Sequence, residues 1–119
     1  MREADSIDLH ECLTPGRGAG ALWTLEGSED LNANLIGFPA GEGVGEHVNG
    51  EVDVLVVGVS GVGCVSVDGR EHPLRAGVVA FVPKGVRRST RSDSADFAYL
   101  TVHRRRTPLR IGRPPGGDL

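Results

Sequence analysis

"VGCVSVDGREHPLRAGVVAFVPKG", residues 62–85, decides how this chain folds. Three short runs, "VGCVSV", "EHPL" and "VVAFV", are closed in turn by "DG", "RAG" and "PKG". The Asp68-Gly69 pair is a two-residue hairpin signal, because glycine takes a positive φ at no steric cost. Side chains alternate along a strand, so Val65 and Val67 share one face and Cys64 and Ser66 the other. No long amphipathic helical repeat fits between turns this close together.

The same rhythm continues outward. "ALWTLEG", "NANLIGF", "EVDVLVVGV" and "DFAYLTV" are further strand-like runs separated by glycine, proline and acidic turns. The only aromatics are Trp23, Phe38, Phe81, Phe97 and Tyr99, so a core must come mainly from valine and leucine, which suits a sheet. Short strands without intervening helices pair antiparallel in a barrel or sandwich. The expected fold is therefore all-β, a small antiparallel barrel or jelly roll. "DSIDLHECL" reads as a short helix or an edge strand, ended by "PGRGAG". A chain of 119 residues suits one compact domain, taken as residues 1–113 with an N-terminal edge segment. Residues 114–119, "PPGGDL", are expected to be a flexible tail.

Composition narrows the function classes. No run approaches the roughly 20 apolar residues that cross a bilayer, and "MREADSIDLHECL" carries acids where a secretory signal has bases. A cytoplasmic protein without membrane contact is expected, with Cys12 and Cys64 as reduced thiols and Cys64 structural. Residues 1–60 hold 2 basic and 11 acidic side chains, whereas residues 61–119 hold 11 basic and 5 acidic. Neither half has an adequate core alone, so the asymmetry is read as complementarity between interleaved halves. "HRRRTPLRIGR" at 103–113 is a candidate phosphate contact or a solvated basic tail. It lacks the interleaved aromatics of a nucleic-acid surface, so nucleic acid is not the expected partner.

"GEGVGEHVNGEVDVLVVGVSG" followed by "GREHPLRAGVVAFVPKGVRR" resembles the two consecutive motifs of the cupin superfamily, over roughly residues 31–102. The resemblance is to the small single-domain type. It implies a double-stranded β-helix whose metal-holding members use two histidines one residue apart, an acid four residues on, and a third histidine after a Pro-x-Gly turn. In this chain His47 matches the first histidine, Asn49 replaces the second, Asp53 stands for the acid, and Arg88 replaces the third. The implied metal motif is thus degenerate.

Residue chemistry agrees. An amide is a poor metal ligand, and a guanidinium has five donors and no lone pair. No cofactor is expected; the alternative is one divalent transition metal on His47, Asp53 and possibly Glu51. On a regular strand Arg87 and Arg88 cannot both face inward, and the resemblance to the second motif implies that Arg88 faces inward and Arg87 outward, with Asp53 inward and pairing bidentately with Arg88. His47 is a pocket acid or base, or a hydrogen-bonded strand-end residue; Asn49 is a ligand-orienting amide or a turn residue in "NG". The ligand-binding set is His47, Asn49, Asp53 and Arg88, in a pocket for a small polar or anionic molecule. A second reading is a metal-independent isomerase or cyclase with His47 transferring a proton and Arg88 stabilising negative charge. A third is a metal-dependent oxygenase with an atypical ligand set. A homodimer is expected, since unpaired strand edges invite a partner.

Overall fold

The computed structural model describes residues 5–14 and 18–106. Nine strands run through them: β1 (Gly20–Thr24), β2 (Leu31–Phe38), β3 (His47–Val48), β4 (Val54–Ser60), β5 (Val62–Val67), β6 (Arg70–Arg75), β7 (Val79–Val82), β8 (Arg87–Ser92) and β9 (Phe97–Arg104). They form a five-stranded sheet in the order β1-β2-β9-β4-β7 and a four-stranded sheet in the order β3-β8-β5-β6. The pairings within both sheets are antiparallel. This is the all-β double-stranded β-helix architecture.

The hairpin between β5 and β6 has Asp68 at φ 50° and Gly69 at φ 79°, two left-handed residues in succession. That is the twist a right-handed strand pair needs, and it sets Val67 opposite Arg70 and Val65 opposite His72. Between β4 and β5 the chain crosses from one sheet to the other through Gly61, at φ 63°. A β-carbon there would sit 2.6 Å from the Phe97 nitrogen, so the corner requires glycine for space as well as for conformation.

The interior cluster contains Val52, Val54, Val56, Val65, Leu74, Val82, Phe97 and Tyr99, all essentially buried. The two sheets contribute alternate residues, as period two demands. A second cluster lies on the outer face of the larger sheet. Leu35, Val59 and Ala98 are covered there by Leu9, Cys12 and Leu13 of the N-terminal segment together with Trp23 of β1. That segment holds a single 3-10 turn, Leu9–Cys12, capped by the Asp8 carboxylate accepting from the His10 amide. β1 pairs with β2 of its own chain.

The acidic first half and basic second half interleave, since β2 pairs with β9 and β4 with β7 and β9. Pairwise neutralisation is nevertheless sparse. Among the described residues one ion pair joins the halves, Arg87 to Glu46 at 3.6 Å, and both partners are largely exposed. Arg91 instead bonds Glu71 and Asp93 within its own half. Among the described residues, then, the halves meet through strand pairing far more than through close ion pairs. The tail at 114–119 and the segment 107–113 lie outside the described residues. No helix among the described residues is long and apolar enough to cross a membrane.

Gly63 tests the packing. A β-carbon there would lie 2.3 Å from the Phe97 ring and 2.6 Å from the Arg91 carbonyl oxygen, whereas one at Gly45 meets nothing within 4 Å. Gly63→Ala is expected to cost about 2–3 kcal/mol in denaturant unfolding. Gly45→Ala should stay within about 0.5 kcal/mol of the parent.

Candidate functional site

Phe97, Tyr99, Thr101 and His103 alternate along β9 and are all buried. Arg88, Thr90 and Ser92 do the same along β8 in the facing sheet. The Thr90 and Tyr99 hydroxyls meet at 3.0 Å and join the two sheets across the interior. On the Phe97 side of that contact the inward position of β8 is Ser92, bonded to the Ser94 carbonyl. Toward the start of β8 and the end of β9, the inward positions of these two strands become Thr101, Arg88 and His103, polar groups set beside the buried Val54, Val56 and Val82.

Arg88 is 1% exposed. Its Nη2 donates to the Pro83 carbonyl at 2.7 Å and its Nε to the Val86 carbonyl at 3.4 Å, while Nη1 has no hydrogen-bond partner among the described residues. Burial, and then the Arg106 charge, lower its pKa, with Asp53 partly offsetting them. A guanidinium starts so far above neutrality that it remains a cation. Arg87, one residue earlier, is exposed on the outside.

Asp53 departs from the sequence reading. It is exposed, and among the described residues it forms no ion pair with Arg88; its Oδ1 accepts from the Lys84 amide at 2.8 Å instead. The cause is register. Val52 and Val54 occupy the interior positions, so the residue between them must face out. Parity does not carry through from His47 because β3 stops at Val48. Asn49 then turns the chain, with its Oδ1 accepting from the Glu51 amide at 2.9 Å. Glu51 is exposed as well. Asp53 still supports the site: it holds the Pro83–Gly85 turn whose first carbonyl orients Arg88, and the Gly85 amide donates to the Asn49 carbonyl at 2.7 Å.

Asn49 is buried, and its Nδ2 has no partner among the described residues. His47 lies opposite Arg88 in the β3–β8 pairing. Its Nδ1 donates to the Gly45 carbonyl oxygen at 2.8 Å, so the tautomer with Nδ1–H leaves a lone pair on Nε2, which is buried without a partner among the described residues. His103 repeats this arrangement, with Nδ1 at 2.8 Å from the Arg104 carbonyl oxygen and Nε2 buried without a partner among the described residues.

The basic cluster after β9 divides by side-chain role. Arg104 donates to the Glu51 carbonyl and Arg105 to that of Ser28, tying loops to the strand end. Arg106 is half-buried, and its Nε and Nη2 are buried without partners among the described residues. The sequence reading treated this stretch as one surface cluster. The alternation Phe97, Tyr99, Thr101, His103 was the available signal that His103 turns inward; nothing in the sequence singled out Arg106.

A metal does not fit this end of the barrel. Among the described residues no three His, Cys, Asp or Glu side chains gather to hold one. The inward groups add an amide and a cation to two imidazoles, with the nearby acids Glu51 and Asp53 facing solvent. Cys64 is held as a protonated thiol. It is buried and unpaired, and its pKa is raised first by burial and then by Glu71. A cavity of about 450 Å³ lies elsewhere, at the opposite end of β2 and β9, bounded by Leu13, Leu22, Phe38, Phe97 and Ala98. Its largely apolar lining offers little to hold a polar ligand in one orientation.

The model of the cupin domain matches residues 34–103. That stretch holds β2 to β9 and the polar end just described, and this chain belongs to the cupin family. No curated protein matches it by sequence. Among solved structures it is similar to a Streptococcus pyogenes protein of unknown function, with 20% identity, 91% of this chain and 93% of that one covered, and a TM-score of 0.73. The TT1209 protein of Thermus thermophilus gives 26% identity, 87% and 98% coverage, and a TM-score of 0.70. KdgF from a Halomonas species gives 19%, 71% and 77%, and 0.66. These likenesses establish the fold.

Tyr99 reports on the junction between the apolar and polar halves. Burial outweighs its bond to Thr90 and pushes its pKa up from 10.0 to about 12. The folded state thus keeps the phenol proton where the unfolded chain has released it. Stability is full below pH 10 and falls as pH rises toward 12, by up to about 2–3 kcal/mol. Denaturant midpoints measured across that window are expected to drop more for the parent than for Tyr99→Phe. Tyrosinate absorbance, which comes from a single tyrosine, should rise together with unfolding.

Proposed function

We propose that this protein binds a small organic anion in the polar end of the barrel, without a metal, through Arg88. The supporting observation is a fully buried guanidinium with an unpartnered Nη1 and no acid paired to it among the described residues. A buried cation without a counter-charge is costly, and a bound carboxylate offsets that cost while accepting from Nη1. The Pro83 and Val86 carbonyls hold the other two nitrogens, so the fork is oriented before a ligand arrives. Asn49 Nδ2 supplies a neutral donor, and the lone pairs on His47 and His103 accept from a ligand hydroxyl or amine.

The same lone pair on His47 supports the catalytic variant, in which His47 takes a proton and Arg88 stabilises the anion that forms. That variant is an isomerase or cyclase; conversion of a bound carboxylate that is lost in His47→Gln separates it from a binding module. A cytoplasmic setting is the reading consistent with two unpaired thiols.

We also propose a homodimer formed through the outer face of β4 and β7. Leu55 lies opposite Phe81 and Val57 opposite Val79, and Leu55 of β4 together with Phe81 and Val79 of the edge strand β7 are each 44–58% exposed. A continuous apolar stripe on an edge strand suits a second copy of itself.

Arg88→Gln tests the binding role. Glutamine keeps a donor for the Pro83 carbonyl but removes the charge, so stability should change by about 1 kcal/mol or less. Carboxylates that raise the melting temperature of the parent should lose at least about tenfold in affinity for the variant, measured by calorimetry. Sedimentation should find the parent dimeric at tens of micromolar, and Phe81→Glu monomeric.

A further inference from the structure

From the cavity at the Phe38 end of β2 and the Phe97 end of β9, we infer a second ligand site, which takes a small amine with an apolar body, its ammonium group on Asp96. The site lies at the opposite end of these strands from His103 and does not rest on Arg88. The cavity measures about 450 Å³, a size that small-molecule pockets share. Leu13 of the N-terminal segment and Leu22 of β1 wall it on one side, and Phe38 and Phe97 on the other. Both rings also pack against Tyr99, with centroids 6.3 and 5.3 Å from its own, so these walls are supported from behind. A β-carbon at Gly37 would come within 3.1 Å of Leu22 Cδ1, so glycine there leaves Leu22 where it bounds the space.

Asp96 is the one charged side chain among the described residues that line this cavity. It is exposed, so a ligand can reach it, and it forms no ion pair among the described residues. Arg91, the described arginine closest to it in sequence, is held by Glu71 and Asp93. The acid is nevertheless fixed in place. The Ser94 hydroxyl donates to its Oδ1 at 2.9 Å and accepts from the Val62 amide at 2.9 Å, while the Ser60 hydroxyl donates to the Asp96 carbonyl at 2.6 Å. Ser60 ends β4 in the larger sheet and Val62 begins β5 in the smaller, so Asp96 is tied to both sheets before a ligand arrives. Apolar walls favour a body without charge, and one carboxylate at their rim attracts a cation and repels an anion. An ammonium head on an aromatic or aliphatic body meets both conditions at once.

Calorimetric titration of the full chain with phenethylamine, set against phenethyl alcohol and phenylacetate at neutral pH, tests this. The amine is expected to bind about fivefold or more tightly than the alcohol. Asp96→Asn keeps an acceptor for the Ser94 hydroxyl, and it should erase that advantage while leaving the alcohol within about twofold of the parent. In spectra of the isotope-labelled chain, the amine should move the amide signals of Gly37, Ser60 and Ala98 and leave those of Arg88 and His103 in place. Phenylacetate, which Asp96 repels, should leave the first three unmoved. Equal affinity for amine and alcohol means an apolar cavity that does not select charge, and it overturns the inference. An advantage that survives Asp96→Asn overturns it as well, as does amine binding whose shifts fall at Arg88 and His103. Failure of the amine to bind at all overturns it outright and leaves the Arg88 reading standing.

Discussion

The hydroxyl contact between Thr90 and Tyr99 is where this barrel changes character. It joins β8 of one sheet to β9 of the other through the middle of the interior, and it lets a buried phenol and a buried threonine satisfy each other. Phe97 and Leu74 lie on one side of it and Val54, Val56 and Val82 on the other, in one apolar cluster whose burial drives the sheets together. Phe38 and Phe97 flank Tyr99 with ring centres 6.3 and 5.3 Å away, so the contact is walled off from water on that side. On the other side the same strands point arginine, histidine, asparagine and threonine at one another. A small domain in which valine predominates has little apolar volume to spare, and its polar half is the part left for chemistry.

Within that half, position is set by backbone rather than by charge pairing. The Pro83–Gly85 turn is held from two directions, by Asp53 on the Lys84 amide and by the Asn49 carbonyl on that of Gly85. It offers the Pro83 carbonyl to Arg88, and the Val86 carbonyl takes the second bond. An acid that looks like the natural counter-ion of Arg88 therefore serves it indirectly, by fixing the carbonyl that fixes the guanidinium. The consequence is a cation that is oriented without being neutralised, which is the electrostatic condition for recognising an anion.

Several pieces of this were legible in the residues. Alternation marked β2, β4, β5 and β9, the Asp68-Gly69 pair marked the hairpin, and the likeness to the second cupin motif put Arg88 inside and Arg87 outside. β8 was harder to read as a strand because "RRSTRS" has no apolar residue at all; its inward positions are Arg88, Thr90 and Ser92. A hydrophobic-period test is blind to a strand that faces a polar interior. The placement of that stretch came instead from its likeness to the second cupin motif.

The sequence by itself determined the sheet class and the hairpin, because each depends on local residue types: two-residue alternation and a glycine turn. The tertiary structure alone decided which polar groups meet. Asp53 turned outward because Val52 and Val54 claimed the interior after an Asn49 turn reset the register. His103 came to the same end of the barrel as Arg88 because Thr90 meets Tyr99 across the interior and Gly63, opposite Ser92, packs against Phe97, so the start of β8 lies toward the end of β9 although the two strands belong to different sheets. Side-chain convergence of that kind depends on long-range strand pairing, and no local pattern encodes it.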